Sequence, residues 1–383
     1  MKPIPYGRQH ITQEDIEAVT NALQSEYLTQ GPKIKDFEDA FAQYVGSRYA
    51  VALANGTAAL HLCALALDVN AQSNVIVPPI TFAASANCIG YCGGDVTFVD
   101  IDPNTFLLDL NQLEHTLKKF PNKFKGIIPV DFAGRPVNLE ELKTLADKFG
   151  LWIIEDACHA PGGYFRDSKN KEQRCGNSQF ADCAIFSFHP VKHIAAGEGG
   201  MITTNDKKIY QKLLLLRTHG ITKDSSLMHE NHGGWYYEMQ ALGYNYRLTD
   251  FQAALGLSQL KRADEGLIRR KEIASTYFDA FKSKDYILNQ SGVVEGHAYH
   301  LYIIEVNKRK ELYNFLRENN IFCQVHYIPV HTLPYYQSLG WKLGNMPIAE
   351  KYYSQCISLP MFPTLTNSEQ RYVIEKIEEF FII

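Results

Sequence analysis

Between residues 49 and 204, short apolar runs alternate with longer segments that repeat apolar residues at helical spacing. The runs predict strands at residues 49–53, 74–77, 96–99, 126–130, 151–155, 183–188 and 201–204. The longer segments predict helices at residues 58–66, 82–91, 111–119 and 139–148. Strands that are apolar along their whole length are typical of a parallel sheet buried on both faces. The pattern therefore predicts an α/β domain with a large, mostly parallel sheet and helices on both faces.

The rest of the chain shows other patterns. Two helices, 16–24 and 34–44, are expected before the first strand, and the polar segment 223–240 is predicted to be a mobile loop. A helix at 248–260 is expected to continue through 269–281. The tail combines strands and helices and predicts a smaller α+β domain, with strands at 300–306 and 322–327 and helices at 308–318 and 368–381. We place the large domain at residues 1–255 and the small domain at residues 256–383.

Composition narrows the class of protein. The chain of 383 residues is 45% hydrophobic and has a net charge of −4, which gives no argument for a nucleic-acid or membrane partner. The uncharged stretches 49–67 and 69–94 contain polar residues, and the second contains Pro78 and Pro79, so neither is expected to cross a membrane. The first five residues lack the apolar run of a secretory signal. The eight cysteines form no Cys-x-x-Cys pair, and we expect reduced thiols in a cytoplasmic protein.

Polar residues follow three of the predicted strands, where ligands bind in open parallel sheets. Asn55-Gly56-Thr57 follows the first strand and opens a helix, so it suits an anion such as phosphate or is a plain helix cap. Asp156 and His159 follow a second strand, and the carboxylate either binds a ligand or caps a loop. Lys192 follows a third, between apolar residues and glycines. It is either a desolvated, nucleophilic amine or a lysine that reaches solvent.

Together the three sites match the needs of pyridoxal 5′-phosphate (PLP), which are a phosphate seat, an acid for the ring nitrogen and a Schiff-base lysine. No metal site is predicted. His229 and His232 lie on the polar segment 223–240 without a set of metal ligands, and we expect them to be solvated.

The chain resembles the DegT/StrS-type nucleotide-sugar aminotransferases, which have the aspartate-aminotransferase fold of type I. The resemblance covers essentially the whole chain. It is carried by residues 28–32, 55–60, 78–82, 99–102, 155–160, 187–200, 243–247 and 325–327. The segment around Lys192 is the most specific of these. The resemblance implies a PLP-dependent transaminase.

The resemblance also implies roles for individual residues. Lys192 would hold PLP and act as the catalytic base, and Asp156 would keep the ring nitrogen protonated. The remaining cofactor contacts would be Gly56, Thr57, Phe82, His159, Ser187 and Asn245. Of these, Asn245 would reach the cofactor of a second chain, which implies a homodimer with shared sites. The segments that line the substrate cleft of the family contain Tyr6, Thr29, Gln30, His326, Tyr327 and His331.

Residues 187–192, 217–221 and 235–238 resemble the branch of the family that acts in pseudaminic acid biosynthesis. This implies transfer of an amino group, from L-glutamate as the usual donor, to C4 of a UDP-linked 4-keto-6-deoxy-N-acetylhexosamine. The product would be UDP-4-amino-4,6-dideoxy-N-acetyl-β-L-altrosamine. The phosphate turn and residues 193–197 depart from the branch pattern. A different keto sugar with a D-series C4 or a C3 ketone stays open, as do a sugar dehydratase of the same fold and a non-catalytic regulatory protein.

Overall fold

The computed structural model describes residues 2–382. Its helices are α1 (Gln13–Leu23), α2 (Pro32–Val45), α3 (Gly56–Ala66), α4 (Ala84–Tyr91), α5 (Leu110–Lys119), α6 (Leu139–Phe149), α7 (Lys207–Arg217), α8 (Asp250–Leu260), α9 (Ala263–Phe281), α10 (Arg309–Glu318), α11 (Pro334–Ser338), α12 (Pro347–Gln355) and α13 (Asn367–Ile382). Short 3₁₀ helices lie at Phe132–Gly134 and Val330–Thr332.

The strands are β1 (Ile4–Pro5), β2 (Tyr49–Leu53), β3 (Asn74–Val77), β4 (Asp95–Phe98), β5 (Gly126–Ile127), β6 (Trp152–Asp156), β7 (Tyr164–Arg166), β8 (Glu172–Arg174), β9 (Cys183–Ser187), β10 (Gly200–Thr204), β11 (Ile221–Thr222), β12 (Glu238–Met239), β13 (Asn289–Gln290), β14 (Tyr302–Glu305), β15 (Ile321–Phe322) and β16 (Cys356–Leu359). Seven of them form one sheet in the order β2-β10-β9-β6-β5-β3-β4. All neighbours in it are parallel except β10, which runs antiparallel to both β2 and β9. The predicted large, mostly parallel sheet is confirmed.

Both faces of this sheet are buried. On β9, Ile185 packs into one hydrophobic core, whereas Ala184 and Phe186 pack into another. Strand β2 divides its side chains in the same way, with Val51 in the first core and Ala52 in the second. Because successive side chains of a strand point to opposite faces, the two cores lie on the two sides of the sheet.

A third core lies in the C-terminal part of the chain. There β14 pairs antiparallel with β13 and β16, and β15 pairs in parallel with the N-terminal strand β1. The predicted division between residues 255 and 256 falls inside helix α8, and it stays a prediction. Among residues 2–382, no helix is long and apolar enough to cross a membrane. All eight cysteines are free.

Several predicted elements differ from the structure. The helix expected to run through residues 248–281 is broken, because Arg262 has a non-helical φ of −116° between α8 and α9. The strand expected at 322–327 ends at Phe322. The polar segment 223–240 is bracketed by the short pair β11 and β12, and within it Glu238 accepts backbone hydrogen bonds from His229 and Glu230.

Candidate active site

A cavity of about 690 Å³ lies at the carboxyl ends of the parallel strands. Residues shortly after the ends of β2, β3 and β5 line it, together with the last residues of β6 and β9. This is where an open parallel sheet places its ligand site. The C-terminal part of the chain closes the other side through His300, His326 and Tyr327.

The N-terminus of α3 opens on this cavity. Asn55 caps the helix, since its side chain accepts a hydrogen bond of 2.8 Å from the Ala58 amide. The first-turn N–H groups and the helix dipole favour an anion at such a position. Gly56 leaves room there, because a Cβ atom on it would lie 3.0 Å from Cβ of Ser187, the last residue of β9.

Asp156 is the last residue of β6 and is buried. Its Oδ2 accepts a hydrogen bond of 2.7 Å from the Ser85 hydroxyl on α4. Its Oδ1 accepts one of 3.2 Å from the backbone N–H of Cys158. Both donors are neutral, and together they fix the orientation of the carboxyl group.

Lys192 lies on the connection between β9 and β10 and lines the same cavity. Burial lowers the pKa of its amine, and the nearby Cys158 and Asp156 act in the opposite direction. A lowered pKa increases the neutral fraction of the amine, which is the nucleophilic and basic form.

Aromatic and imidazole rings form the remaining wall. The Phe82 ring is 64% exposed and its centroid lies 6.4 Å from that of Tyr327. The Tyr327 hydroxyl lies 3.1 Å from Nε2 of His159, and the His159 and His300 rings are in tilted contact with their centroids 4.2 Å apart. Burial lowers the pKa of His159 well below its usual value.

The structure brings ten of the predicted site residues to this one cavity: Tyr6, Gly56, Thr57, Phe82, Asp156, His159, Ser187, Lys192, His326 and Tyr327. Four others lie elsewhere on the chain. Thr29 forms a β-bridge with Thr249, and Gln30 lines a separate, smaller cavity. Asn245 is exposed. His331 is fully buried, with Nε2 at 2.9 Å from the Glu350 carboxylate. The roles assigned to these residues stay predictions.

Sequence reasoning missed Ser85, His300 and Tyr246, which also line the cavity. The sequence could have indicated Ser85 as a site residue, since it is a polar residue within an apolar helix and follows Thr81 by one turn. His300 had none, because only the packing of the C-terminal part against the sheet places it beside His159.

Comparison with known proteins identifies the family. The sequence model of the DegT/DnrJ/EryC1/StrS aminotransferase family matches residues 9–378, nearly the whole chain. The chain belongs to this family.

Relatives of this DegT-family chain include proteins with different sugar substrates. It is 37% identical over 386 residues to the UDP-4-amino-4,6-dideoxy-N-acetyl-β-L-altrosamine transaminase of Campylobacter jejuni, covering 97% of this chain and 95% of that one. It is 36% identical over 385 residues to the GDP-perosamine synthase of Escherichia coli O157:H7, covering 100% and 99%. The sequence identities to these two relatives are almost equal, so sequence identity does not distinguish between their sugar substrates.

Among solved structures, Helicobacter pylori PseC, an aminotransferase of pseudaminic acid biosynthesis, superposes with a TM-score of 0.89 at 30% identity, covering 99% of both chains. The predicted type I aminotransferase fold is therefore confirmed. Similar structures include PLP and pyridoxamine phosphate forms of one sugar aminotransferase. This chain is a PLP-dependent sugar aminotransferase of the DegT family.

The residues of the cavity fit PLP. The cofactor carries a phosphate, a ring nitrogen that must stay protonated and an aldehyde that reacts with an amine. The glycine-lined N-terminus of α3 offers a seat for the phosphate, and Asp156 offers a fixed carboxylate for the nitrogen. Lys192 offers an amine with a lowered pKa. These three groups follow or end different strands of one sheet, and all of them line one cavity.

Proposed function

We propose that this enzyme transfers an amino group from L-glutamate to C4 of a UDP-linked 4-keto-6-deoxy-N-acetylhexosamine and makes UDP-4-amino-4,6-dideoxy-N-acetyl-β-L-altrosamine. The observation that carries the chemistry is that Lys192, Asp156 and the α3 N-terminus share one cavity. The choice of sugar is supported by the Campylobacter relative and by PseC. A GDP-linked 4-keto-6-deoxy sugar is the second candidate, supported by the GDP-perosamine synthase relative.

PLP, when bound, withdraws electrons from the substrate carbon that loses a proton. In the proposed reaction, Nζ of Lys192 would take that proton and deliver it to the cofactor carbon on the other side of the transferred nitrogen. The lowered pKa of Lys192 suits this role, since a general base must be neutral before it accepts a proton. Asp156 keeps a proton on the ring nitrogen, and its orientation is set by Ser85 and by the Cys158 amide.

The remaining residues position the bound molecules. Gly56, Thr57 and Ser187 surround the N-terminus of α3 and would hold the cofactor phosphate. Phe82 exposes its ring to the cavity and would cover one face of the cofactor ring. His326 and Tyr327 would contact the sugar nucleotide from the side of the cavity that the C-terminal part closes, and Tyr6, whose ring lies 5.1 Å from that of His326, would contact it from the same side.

The proposal includes a homodimer in the cytoplasm. Asn245 is exposed and lies outside the cavity of its own chain, and its backbone is held by a β-bridge to Thr218. An exposed side chain on a fixed backbone is available to the cofactor phosphate of a second copy. If the dimer forms, each cavity is completed by residues from two chains.

The decisive experiment is product analysis by NMR after incubation with PLP, L-glutamate and the UDP-linked 4-keto sugar. We expect the L-altro amine from the wild-type enzyme. Lys192→Ala should lose essentially all turnover, because general acid–base catalysis alone contributes about 10²–10⁴-fold. Lys271→Ala, at an exposed position of α9, is the matched lysine control. Amination of a GDP-linked sugar alone would favour the second candidate, and full turnover by Lys192→Ala would contradict the mechanism.

A further inference from the structure

The hydrogen bonds around His159 determine which of its ring nitrogens carries the proton. The backbone N–H of Ala133 points at Nδ1 of His159 and donates to it over 3.2 Å. A backbone N–H can only donate, so Nδ1 is unprotonated. Burial keeps the ring neutral by lowering the pKa of His159. A neutral ring with a free Nδ1 has its proton on Nε2.

That assignment fixes the direction of the next hydrogen bond. Nε2 of His159 lies 3.1 Å from the Tyr327 hydroxyl, so the histidine donates and the tyrosine oxygen accepts. The hydroxyl proton of Tyr327 is not used in this contact. Within residues 2–382, His159 is the one hydrogen-bond partner of this hydroxyl, and Tyr327 lines the cavity. Burial raises the pKa of Tyr327 well above its usual value, so the hydroxyl keeps its proton.

We propose that Tyr327 is a positioning residue whose hydroxyl donates a hydrogen bond into the cavity, to a neutral hydroxyl or carbonyl oxygen of the sugar. The relay Ala133 N–H to His159 to Tyr327 gives this donor its direction. A neutral donor suits a neutral oxygen, whereas carboxylates are bound most strongly by charged donors. Tyr6 and Phe82 stand on the same cavity wall, which is aromatic as in sites that bind a ring. The inference rests on the proposed sugar-nucleotide substrate.

The relay itself is tested by NMR, independently of any substrate. In holoenzyme labelled with ¹⁵N-histidine, the ring nitrogen shifts of His159 should show the neutral form protonated at Nε2. The signal is assigned by its absence from the His159→Gln variant. Protonation at Nδ1, or a charged ring at neutral pH, would overturn the relay and the direction of the Tyr327 hydrogen bond.

The role of Tyr327 is tested with Tyr327→Phe, which removes the hydroxyl and keeps the ring. Binding of the aminated UDP-sugar to holoenzyme should weaken by about 3–10-fold, the effect of one neutral hydrogen bond. The KM for the keto sugar should rise while the KM for L-glutamate is unchanged. The control is Tyr336→Phe, since that hydroxyl donates to Asn87 outside the cavity.

The possible outcomes separate this inference from the proposed function. Equal sugar binding by wild type and Tyr327→Phe would overturn the inference and leave the proposed function standing. A raised KM for L-glutamate instead of the sugar would also overturn it. A wild-type enzyme that aminates only another keto sugar would contradict the proposed substrate, and Tyr327→Phe is then measured with that sugar by the same criterion.

Discussion

The Ser85 hydroxyl donates a hydrogen bond of 2.7 Å to Oδ2 of Asp156, and both residues are buried. The Thr81 hydroxyl lies 2.7 Å from the same Ser85 oxygen. Because the Ser85 proton points at the carboxylate, Thr81 donates and Ser85 accepts. A two-hydroxyl chain thus holds the carboxylate that we assign to the ring nitrogen of PLP.

We therefore predict that Ser85→Ala weakens PLP binding. A hydrogen bond to a charged group is worth about 1.5–3 kcal/mol, so the Kd for PLP should rise by about 10-fold or more. The measurement is titration of the apoenzyme with PLP, followed by absorbance. Ser291→Ala is the control, because Ser291 is also buried but accepts its hydrogen bond from the Ile303 amide and does not line the cavity. Equal affinity of Ser85→Ala and wild type would contradict the role of Asp156.

Gly56→Ala should also weaken PLP binding, but by steric crowding and not by the loss of an interaction with a charged group. The new Cβ would lie 3.0 Å from Cβ of Ser187, so one of the two residues that surround the phosphate seat must move. We expect a higher Kd for PLP with little change in the urea midpoint of the apoenzyme. The control is Gly266→Ala within α9, where the nearest atom is 3.5 Å away and alanine favours the helix. Unchanged PLP affinity in Gly56→Ala would place the phosphate elsewhere.

Asp131 makes the stability of the protein depend on pH. Desolvation raises its pKa to about 6, and the groups that face it are Glu155, Cys175 and Asp156. Because the folded state binds a proton more tightly than the unfolded state, this contribution is complete below pH 4 and is lost as the pH rises through about 6.

Asp131→Asn should therefore lose stability less than wild type does between pH 5 and pH 8. The difference is expected to be about 1.4 kcal/mol, measured by urea unfolding at both pH values. The asparagine keeps the oxygen that accepts the Val137 amide, so the local hydrogen bond is preserved. Identical pH profiles for the two proteins would show that Asp131 is ionised throughout this range.

Arg270 is a fully buried cation that joins distant parts of the chain. Its Nη1 donates to the carbonyls of Tyr299 and Met361, at 3.1 and 2.9 Å, and burial lowers its pKa to about 10. Arg270→Leu should lower the free energy of unfolding by about 3 kcal/mol, since buried carbonyls are left unsatisfied. Lys271→Ala, on the exposed side of α9, should leave the urea midpoint unchanged. A wild-type midpoint for Arg270→Leu would mean that water replaces the guanidinium.

The strands of the large sheet were predictable because each is a local apolar run. Strand β2 (Tyr49–Leu53) and β3 (Asn74–Val77) coincide with their predicted ranges. Strand β5 is shorter than predicted and ends at Ile127, and Pro129 beyond it has no N–H to continue the ladder. The order of the strands, and the antiparallel direction of β10, depend on pairings between distant residues, which no local pattern encodes.

The residues of the candidate site also divide into those that the sequence could predict and those that it could not. Asp156 and Lys192 were predictable, since Asp156 ends one strand, Lys192 lies shortly after another, and the parallel strands end at the same edge of the sheet. Residues of the C-terminal part depend on how that part packs against the sheet. His326 and Tyr327 reach the cavity, whereas His331, four residues beyond Tyr327, turns inward to Glu350. Sequence proximity alone could not separate these side chains.

The reversed direction of β10 has a consequence for the connection that carries Lys192. A parallel neighbour would require a crossover that returns the chain to the opposite edge of the sheet, but an antiparallel one lets residues 188–199 leave and re-enter at the same edge. Lys192 thus lies on a loop whose two ends are held side by side by the paired strands β9 and β10. Residues of this loop can be substituted, and the chemistry of the site changed with them, while the N-terminus of α3 and the carboxylate at the end of β6 keep their positions.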